Sequence, residues 1–598
     1  MRTATSIADY IPQREAEFQH SISLQGWNWN FKDHIKRSFL YYHDQTLTGK
    51  NIHEDVVKNI VRRIIELQKT ERDIDVKDIE LYVDEPGMEH LSFLVKKYYE
   101  DVFVVKNDID TFIDEWLEQR IVYGGGLAKK GKDARPEIIP LESIAFCDQT
   151  NILKGPIAFK HDYNPEELKD MESVGWGSPS SGATTTVDEL IEMARESRED
   201  PDNLGVENKT PGKYIEVYEV YGVLPRSFIT DNYSTDYSMQ MHICAFYQSK
   251  TQKGKRVGAI LFRKEIKSSP LKKTIQYPIF SRALGFGGVE QLFDAQVWTN
   301  YSEQKMKDML DSASKTIIKT TDPEFGRRNT IKDLENLSVV ALQDGTDASQ
   351  LDTFPKNLAL FDRWQQAWET HAQGKSFANN PILGEESKSG VPFRAQERQV
   401  LQGKGPHEKE QGRYAKDLEA VYRDWFIPHI VEEVTKGARF LSELSTEELA
   451  FVAERVVNNM AEKYKADAIF SGKEITPEMV EMFKEDARAR LEKRGSKLFL
   501  EILKGELKNK SLRIKINIKG KQKNLADYVD KLVNVFRQVM AAPQILQDKG
   551  MRDLFNQIIE GSGLNPVNFS NIQKVIQPQT TPQPSPLAVP QPEAALTA

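Results

Sequence analysis

The segment with the clearest catalytic spacing is Gly126-Leu-Ala-Lys-Lys-Gly131-Lys132, which fits the phosphate-binding pattern G-x-x-x-x-G-K. A nucleotide site of this kind also needs a following Ser or Thr to bind Mg²⁺. The residue here is Asp133, whose carboxylate would repel the phosphates. Pro136 follows where the helix of the motif should begin. We therefore interpret the segment as a glycine-rich hairpin turn.

Three further groups of residues could bind a metal or act as nucleophiles. Asp108, Asp110 and Asp114 form an acidic cluster of the kind that a two-metal nuclease could use, but a solvated helix face explains their spacing better. The ten histidines contain no H-x-H or H-x-x-x-H pair, so a metal site is not expected. Cys147 and Cys244 are the only cysteines, which excludes a disulfide framework and predicts two buried small side chains. The sequence therefore predicts no catalytic site, no metal and no cofactor.

The whole chain has the composition of a soluble globular protein. Of its 598 residues, 39% are hydrophobic and 28% are charged. These values exclude collagen-like and fully disordered chains, and the length predicts about four domains. There is no run of about 18 apolar residues and no apolar stretch typical of a secretory signal, so we expect an intracellular protein without membrane spans. The net charge of −8 argues against a protein that binds nucleic acid along a broad basic surface.

A basic stretch between Lys250 and Lys273 departs from this acidic balance, since Glu265 is its single acid. Alternating patterns at 213–223, 240–248 and 256–264 predict three strands around it. Its cations form either a solvated surface or a contact for phosphate or an acidic partner, and the sequence leaves both interpretations open.

The elements with the strongest periodicity are two long helices. After the Gly-Phe-Gly-Gly turn at 285–288, apolar residues recur at steps of three and four without a proline until Pro323. This pattern predicts one helix at 289–321, about 30 residues and about 45 Å long. A second helix is predicted to start at Pro355, since proline is favoured in a first turn. The chain therefore leaves a body, builds a compact tip and returns.

The C-terminal half is predicted to be mostly helical. A loop rich in Gly, Ser, Asn and Pro precedes a long helix, which is interrupted at the Gly-Lys-Gly-Pro run of 403–406 and kinked by Pro428. A strand is predicted at 511–518, and the Pro/Gln/Ala-rich C-terminus is predicted to be disordered. In chain order, the predicted segments are 1–285, 286–321, 322–353, 354–373, 374–392, 393–440, 441–576 and 577–598.

This order of elements resembles the portal proteins of tailed double-stranded DNA bacteriophages, which form the head-to-tail connector ring. In that family an α/β wing precedes a stem helix, a small clip, a returning stem helix, a tunnel loop, a long kinked helix and a helical crown. The glycine turn followed by Gln296 and Asn300 is similar to the start of the family's stem helix. The resemblance implies an α+β, predominantly helical fold of portal architecture, with an α/β wing, a helical stem, a small α/β clip, a helical crown and a disordered C-terminal tail.

The resemblance also implies a function. It implies a structural virion protein, assembled in the host cytoplasm, that forms a ring of about twelve subunits at one capsid vertex. Double-stranded DNA would pass through the ring during packaging and ejection. Its partners would be the major capsid protein, the terminase motor and tail or adaptor proteins, with no membrane and no enzymatic activity. Two alternatives stay open: another connector or scaffold protein of the virion, and a metal-dependent nucleic-acid enzyme that uses the aspartates at 108–114.

Ten residues are candidates for specific roles under this resemblance. The candidates to face DNA in the tunnel are Lys375, Lys388 and Arg394. Those for docking in the clip are Arg327 and Arg328. The residues expected to pack at the start of the stem are Gly285, Gly287, Gly288, Gln296 and Asn300. For each cation, a surface charge in contact with solvent or a neighbouring subunit is the alternative.

Overall fold

The computed structural model describes residues 6–24, 26–43, 58–83, 89–198, 214–230, 236–249, 255–313, 318–328, 342–350, 358–378, 393–436, 446–472, 475–490 and 512–516. In these residues the fold is α+β and predominantly helical, as predicted. Among the helices of these ranges, none combines the length and the apolar character needed to cross a membrane.

The helices alternate with strands through the first half of the chain and dominate the second half. Their bounds are α1 Ile7–Phe18, α2 Phe31–Tyr42, α3 Ile60–Arg72, α4 Glu89–Tyr98, α5 Val104–Asn107, α6 Ile109–Tyr123, α7 Pro165–Asp170, α8 Val187–Arg198, α9 Ser227–Thr230, α10 Gly288–Ala313, α11 Phe325–Arg328, α12 Leu358–Ser376, α13 Phe393–Val421, α14 Ile427–Lys436, α15 Thr446–Phe470 and α16 477–490. A π-helical turn at Tyr99–Phe103 continues α4 into α5, and another at Tyr422–Phe426 continues α13 into α14.

The strands form small antiparallel sheets around one larger sheet. Their bounds are β1 Ile22–Leu24, β2 Trp27–Trp29, β3 Ile79–Val83, β4 Gly125–Lys130, β5 Pro136–Ile139, β6 Ile144–Phe146, β7 Ile157–Tyr163, β8 Ile215–Pro225, β9 Tyr237–Ser249, β10 Lys255–Glu265, β11 Leu271–Ile275, β12 Ile318–Thr320, β13 Ala348–Gln350 and β14 Leu512–Ile516. The larger sheet has the order β10-β9-β8-β7-β6, and a three-stranded sheet has the order β11-β4-β5. The remaining pairs are β1–β2, β12–β13 and β14–β3.

The five-stranded sheet is buried on both faces. Tyr218 and Val220 of β8 belong to the main hydrophobic core, while Ile215 and Val217 belong to a smaller one. Successive side chains of a strand point to opposite faces, so this alternation separates the two cores. The smaller core includes Leu168 of α7 and Leu190 of α8, two helices that follow β7 in the chain and pack on this face of the sheet. The strands predicted at 213–223, 240–248 and 256–264 are confirmed as β8, β9 and β10.

The first long helix is shorter than the sequence pattern predicts. The helix α10 ends at Ala313, and Ile318–Thr320 form the strand β12, so the prediction of one helix to residue 321 was wrong. Five of the six residues from Thr316 to Thr321 are β-branched, and this explains the difference, because such side chains favour a pleated strand over a helix.

The second long helix runs through the predicted interruption. The helix α13 is continuous across 403–406 and contains Pro406, so the predicted break there was wrong. Directly after the proline, His407 is buried and accepts a hydrogen bond from the Arg72 guanidinium of α3 (3.3 Å), a tertiary contact that offsets the poor helix propensity of the run. The irregularity expected at Pro428 lies just before it, as the π-helical turn Tyr422–Phe426.

The loop predicted at 374–392 begins later than predicted. Helix α12 continues to Ser376, so the first three residues of that segment are helical. Residues 379–392, most of the predicted crown and the whole tail 577–598 lie outside the described residues. The strand predicted at 511–518 is confirmed as β14, and it pairs antiparallel with β3, Leu512 opposite Val83.

Candidate functional site

The two long helices that the sequence predicts, α10 and α12, lie against each other and run antiparallel. We call them the helix pair. Near the start of α10, Asp294 pairs with Lys375 at the end of α12 (3.6 Å between charged atoms), and we call this the near end of the pair. Further along, the indole rings of Trp298 and Trp368 are stacked, with centroids 6.0 Å apart and planes 8° apart. Contacts of higher-numbered residues in α10 are made with lower-numbered residues in α12. The chain therefore runs outward along α10 and returns along α12.

The far end of the helix pair carries a small tip. Strands β12 and β13 pair antiparallel there, with Ile318 opposite Gln350. The buried carboxylate of Asp322 accepts hydrogen bonds from the backbone N–H groups of Glu324 (2.9 Å) and Gln343 (3.2 Å). Asp322 therefore joins the turn that follows β12 to the turn that precedes β13.

At its near end, α10 begins where the backbone touches the backbone of the body. A Cβ atom built on Gly285 would lie 1.6 Å from the Gln276 carbonyl oxygen, and one on Gly287 would lie 2.7 Å from the Gly124 nitrogen. A Cβ on Gly288 would lie 2.4 Å from Cδ1 of Ile65. The structure therefore brings the three predicted glycines together, against α6, β11 and α3, at a site with no room for side chains.

The other two predicted packing residues form a hydrogen-bonded clamp between helices. The Oε1 atom of buried Gln296 accepts hydrogen bonds from the backbone N–H groups of Ile60 (2.8 Å) and Val61 (3.2 Å). These are the first residues of α3, so the α10 side chain satisfies two donors that a helix N-terminus otherwise leaves unpaired. The Nε2 atom of Gln296 donates to the Lys58 carbonyl (2.8 Å) and to Oδ1 of Asn300 (2.7 Å).

A buried ion pair that sequence reasoning missed lies beside the glycines. Arg282 donates to both carboxylate oxygens of Glu290 in the first turn of α10 (2.9 and 2.6 Å), and its guanidinium lies over the Trp29 ring at 4.7 Å. An acidic side chain in a first turn also interacts favourably with the helix dipole. Burial lowers the pKa of the neighbouring His34 to about 4, so the neutral imidazole donates from Nε2 to the Tyr123 carbonyl (2.9 Å). The sequence does place an acid, Glu290, in the first turn of α10, but no pattern in the sequence identifies Arg282 as its partner.

A second buried charge fixes α13 to the body. The Arg120 guanidinium of α6 contacts Asp417 (2.6 Å) and Glu410 (3.4 Å) of α13. Arg120 and Glu410 are both almost fully buried, which makes their pairing necessary for either charge to be tolerated. These partners lie about 300 residues apart in the sequence, so no local pattern predicts the contact.

The predicted DNA-facing and docking cations do not converge on one site. Lys375 lies at the near end of α12 in its ion pair with Asp294, and Arg394 lies in the first turn of α13. Arg327 of the tip is exposed and pairs with Glu324 (3.6 Å), and Arg328 ends α11. Lys388 lies outside the described residues. Lys375 and the tip arginines therefore lie at opposite ends of the helix pair, and Arg394 lies on a different helix.

The residues with catalytic spacing have structural places instead. Gly126 lies in β4, where an added Cβ would meet the Gln119 side chain at 3.0 Å, and the β4–β5 hairpin accounts for the rest of the phosphate-loop-like run. Burial and neighbouring aspartates raise the pKa of Asp110 and of Asp114. Within the ranges that the structure covers, no group of three or more His, Cys, Asp or Glu side chains is placed to hold a metal ion. Cys244 is buried, which raises the pKa of its thiol to about 12, whereas Cys147 is partly exposed, contrary to the prediction that both are buried.

Two cations of the basic stretch between Lys250 and Lys273, Arg256 of β10 and Lys272 of β11, form internal ion pairs. Arg256 contacts Glu15 (3.1 Å) and Glu216 (2.9 Å), and its guanidinium lies over the Phe246 ring at 4.5 Å. Lys272 forms an ion pair with Asp424 of the π-helical turn. These contacts favour a structural role for the two cations over a free surface for phosphate.

Comparison with known proteins gives weak likenesses. Neither a protein-family model nor a curated protein sequence matches the chain. A chain from the virion of a native gene transfer agent (GTA) particle is 8% identical with a TM-score of 0.32, over 71% of this chain and 86% of that one. A chain from the neck of a native GTA particle, computed with C12 symmetry, is 9% identical with a TM-score of 0.31, over 66% and 89%. One from the neck of an empty GTA particle, computed with C6 symmetry, is 8% identical with a TM-score of 0.34, over 71% and 94%. Likenesses of this size establish neither a common fold nor a common function.

Proposed function

We propose that this chain is a structural virion protein, and more specifically the subunit of a ring-shaped portal at one capsid vertex. In this role the ring is the conduit for DNA packaging and ejection. The terminase motor and tail or adaptor proteins dock on it, and the major capsid protein surrounds it. The chain itself carries out no catalytic reaction and needs no cofactor.

The observation that carries the proposal is the helix pair with its tip. Two antiparallel helices, Gly288–Ala313 and Leu358–Ser376, leave the body together and end in a small strand pair. A projection of this kind suits an assembly in which copies stand side by side, because each copy then contributes one straight wall element to a shared channel.

The packing at the near end supports the same role. Three kinds of contact join α10 to several elements of the body at once. They are the close backbone contacts of the three glycines at 285, 287 and 288, the Gln296 clamp and the Arg282–Glu290 ion pair. Each joint is specific in direction, so the projection is held at one angle. A ring that transmits the force of a packaging motor needs that rigidity.

The charge of the chain is compatible with a passing DNA duplex. About twelve copies at −8 each carry on the order of 100 negative charges, which disfavours strong adhesion of the phosphate backbone. Selected cations then provide local contacts, with Lys375, Lys388 and Arg394 as candidates in the channel. Arg327 and Arg328 at the tip are candidates for docking the motor or an adaptor.

The first test is the mass and shape of the purified chain. A portal subunit forms annular particles with a central hole and a mass that is a multiple of 68.4 kDa, near twelve copies, in mass photometry and negative-stain images. A chain that stays monomeric at micromolar concentration and gives no annular particles contradicts the proposal. A Mg²⁺- or Mn²⁺-dependent cleavage of DNA that is lost in Asp110→Asn and Asp114→Asn would favour the enzyme instead.

A second test separates a portal from another connector or scaffold protein. Arg327→Glu and Arg328→Glu at the tip are expected to reduce terminase binding and DNA packaging while rings still form. Lys305→Glu on the exposed side of α10 is the matched charge reversal and should leave terminase binding intact. Unchanged packaging in the tip variants would remove the docking role from these two residues.

A further inference from the structure

The outer half of the helix pair, by which we mean α10 from Trp298 onward and α12 up to Trp368, contains an open aromatic cavity. It has a volume of about 430 Å³ and is lined by Trp298, Tyr301, Ser302, Leu360, Phe361 and Trp364. Trp298 and Trp364 lie edge to face, with centroids 6.4 Å apart, so the cavity wall is a fixed aromatic surface.

The cavity is exposed to a degree that is unusual for such residues. Between 44% and 61% of the surface of Trp298, Tyr301, Leu360 and Trp364 is accessible in the described part of the chain. Exposed apolar patches of this kind are typical of interaction sites, because isolated monomers seldom leave several large aromatic side chains next to one another in water.

A complementary feature lies on the same chain, just before α10. The side chain of Phe280 is 92% exposed. The turn that carries it is strained, since Tyr277 (φ +38°) and Ser281 (φ +59°) both hold left-handed backbone conformations that non-glycine residues rarely adopt.

The turn is also fastened on both sides of Phe280. The Phe286 N–H donates to the Tyr277 carbonyl (3.0 Å), and the Ala283 N–H donates to the Gln149 carbonyl (2.9 Å). These anchors fix the backbone that carries Phe280, and its side chain extends from that backbone into solvent. Phe280 is therefore a preorganised apolar projection that contacts little of its own chain.

We propose that Phe280 of one copy inserts into the aromatic cavity of the next copy. The contact joins two different surfaces of the same chain, which is the kind of contact that a closed ring of identical subunits repeats around its axis. This inference rests on the proposed portal function and names the surfaces by which its subunits recognise each other.

Size and shape favour this occupant over a two-fold pairing of cavities. Phe280 and the four exposed cavity residues together present on the order of 600 Å² of surface, about a third of the roughly 1,600 Å² of a standard interface, so this contact is one anchor within a larger subunit interface. Two concave walls placed face to face would enclose a void, whereas a projecting phenylalanine enters the cavity and occupies part of it.

The test places the photoreactive amino acid benzoylphenylalanine at position 280, which keeps an aromatic side chain there. Irradiated rings are expected to give a ladder of covalent multimers on denaturing gels, with cross-linked peptides that join residue 280 to 298–302 or 358–364. Products no larger than dimers, cross-links within one chain, or cross-links to other peptides would overturn the inference.

Substitutions measure the strength of the contact. Phe280→Ala and Trp364→Ala are each expected to weaken ring assembly by roughly 30-fold or more, with the thermal unfolding of the Phe280→Ala monomer unchanged. Phe470→Ala, at an equally exposed phenylalanine of α15, is the matched control and should assemble normally. If the natural chain forms rings and Phe280→Ala forms them equally well, this inference is wrong and the proposed function stands. If the natural chain forms no rings, the proposed function itself fails.

Discussion

The near end and the outer half of the helix pair use the same two helices in opposite ways. At the near end, backbone touches backbone at Gly285, the Gln296 side chain is buried and hydrogen-bonded to the start of α3, and the buried Arg282 guanidinium pairs with Glu290 of α10. In the outer half, Trp298 and Trp364 pack on each other and leave about half of their surface in water. From this difference we infer two roles. The near end fixes the orientation of the helix pair relative to the body, and the outer half exposes apolar surface that a partner can bind. Each prediction below tests one side of this comparison.

The largest effect is expected at Gly285. The Cβ of Gly285→Ala would lie 1.6 Å from the backbone carbonyl oxygen of Gln276, the residue directly after β11. One of the two backbone segments would therefore have to move. We expect loss of more than about 4 kcal/mol of unfolding free energy, or failure to fold, measured by chemical denaturation. Gly374→Ala in α12 is the matched control, since its Cβ meets nothing within 4 Å. It should be neutral or stabilising by about 0.5 kcal/mol, because alanine favours a helix. A mild effect at Gly285 would break the description of the near end.

The next effect is expected at Glu290. Glu290→Ala leaves the buried Arg282 guanidinium without its carboxylate, and we expect a loss of about 3 kcal/mol in urea denaturation. Asp294→Ala, one turn further along α10, removes the exposed pair with Lys375 and should change stability by less than about 0.5 kcal/mol. Equal effects of the two substitutions would show that the pair with the buried Arg282 holds the near end no more firmly than the exposed pair does.

The helix pair and the sheet strands could be predicted because their signals are local. Apolar residues at steps of three and four mark α10, and alternation marks β8. The three glycines before α10 also stand out in the sequence. What they contact does not, since Gly124 lies about 160 residues earlier and nothing near it marks the partner. The end of α10 was mispredicted because the apolar spacing continued into a β-branched run that pairs with β13.

Contacts between distant segments account for the rest of what the sequence did not reveal. The strand β14 was predicted as a strand, but its pairing with β3 joins residues more than 400 positions apart. The predicted division into a wing at 1–285 and a crown at 441–576 separates these two strands, whereas the structure pairs them. Likewise, the break predicted at 403–406 followed helix propensity, which the contact between His407 and Arg72 overrides.

A smaller effect is expected at Gln296. Gln296→Ala removes the acceptor for two buried N–H groups at the start of α3, so we expect a loss of about 2 kcal/mol of unfolding free energy. Gln304→Ala, on the exposed side of the same helix, should change stability by less than about 0.5 kcal/mol. Hydrogen exchange sharpens the result, because the Ile60 and Val61 amides should lose protection in Gln296→Ala and keep it in the control. Unchanged protection would mean that another group satisfies these donors.

The smallest effect is expected from the stacked tryptophans, and it decides whether the outer half is really reserved for a partner. Trp298 and Trp368 stack at 6.0 Å, but Trp298 is nearly half exposed, so a double-mutant cycle of the two alanine variants should give a coupling of only about 1 kcal/mol in the monomer. A coupling well above 2 kcal/mol would mean that the aromatic cluster holds the monomer together as the near end does. In that case its exposure could not be explained by a function in assembly, because the residues would already have a sufficient structural role. A small coupling together with a large loss of ring formation is the combination that distinguishes an interface from a core.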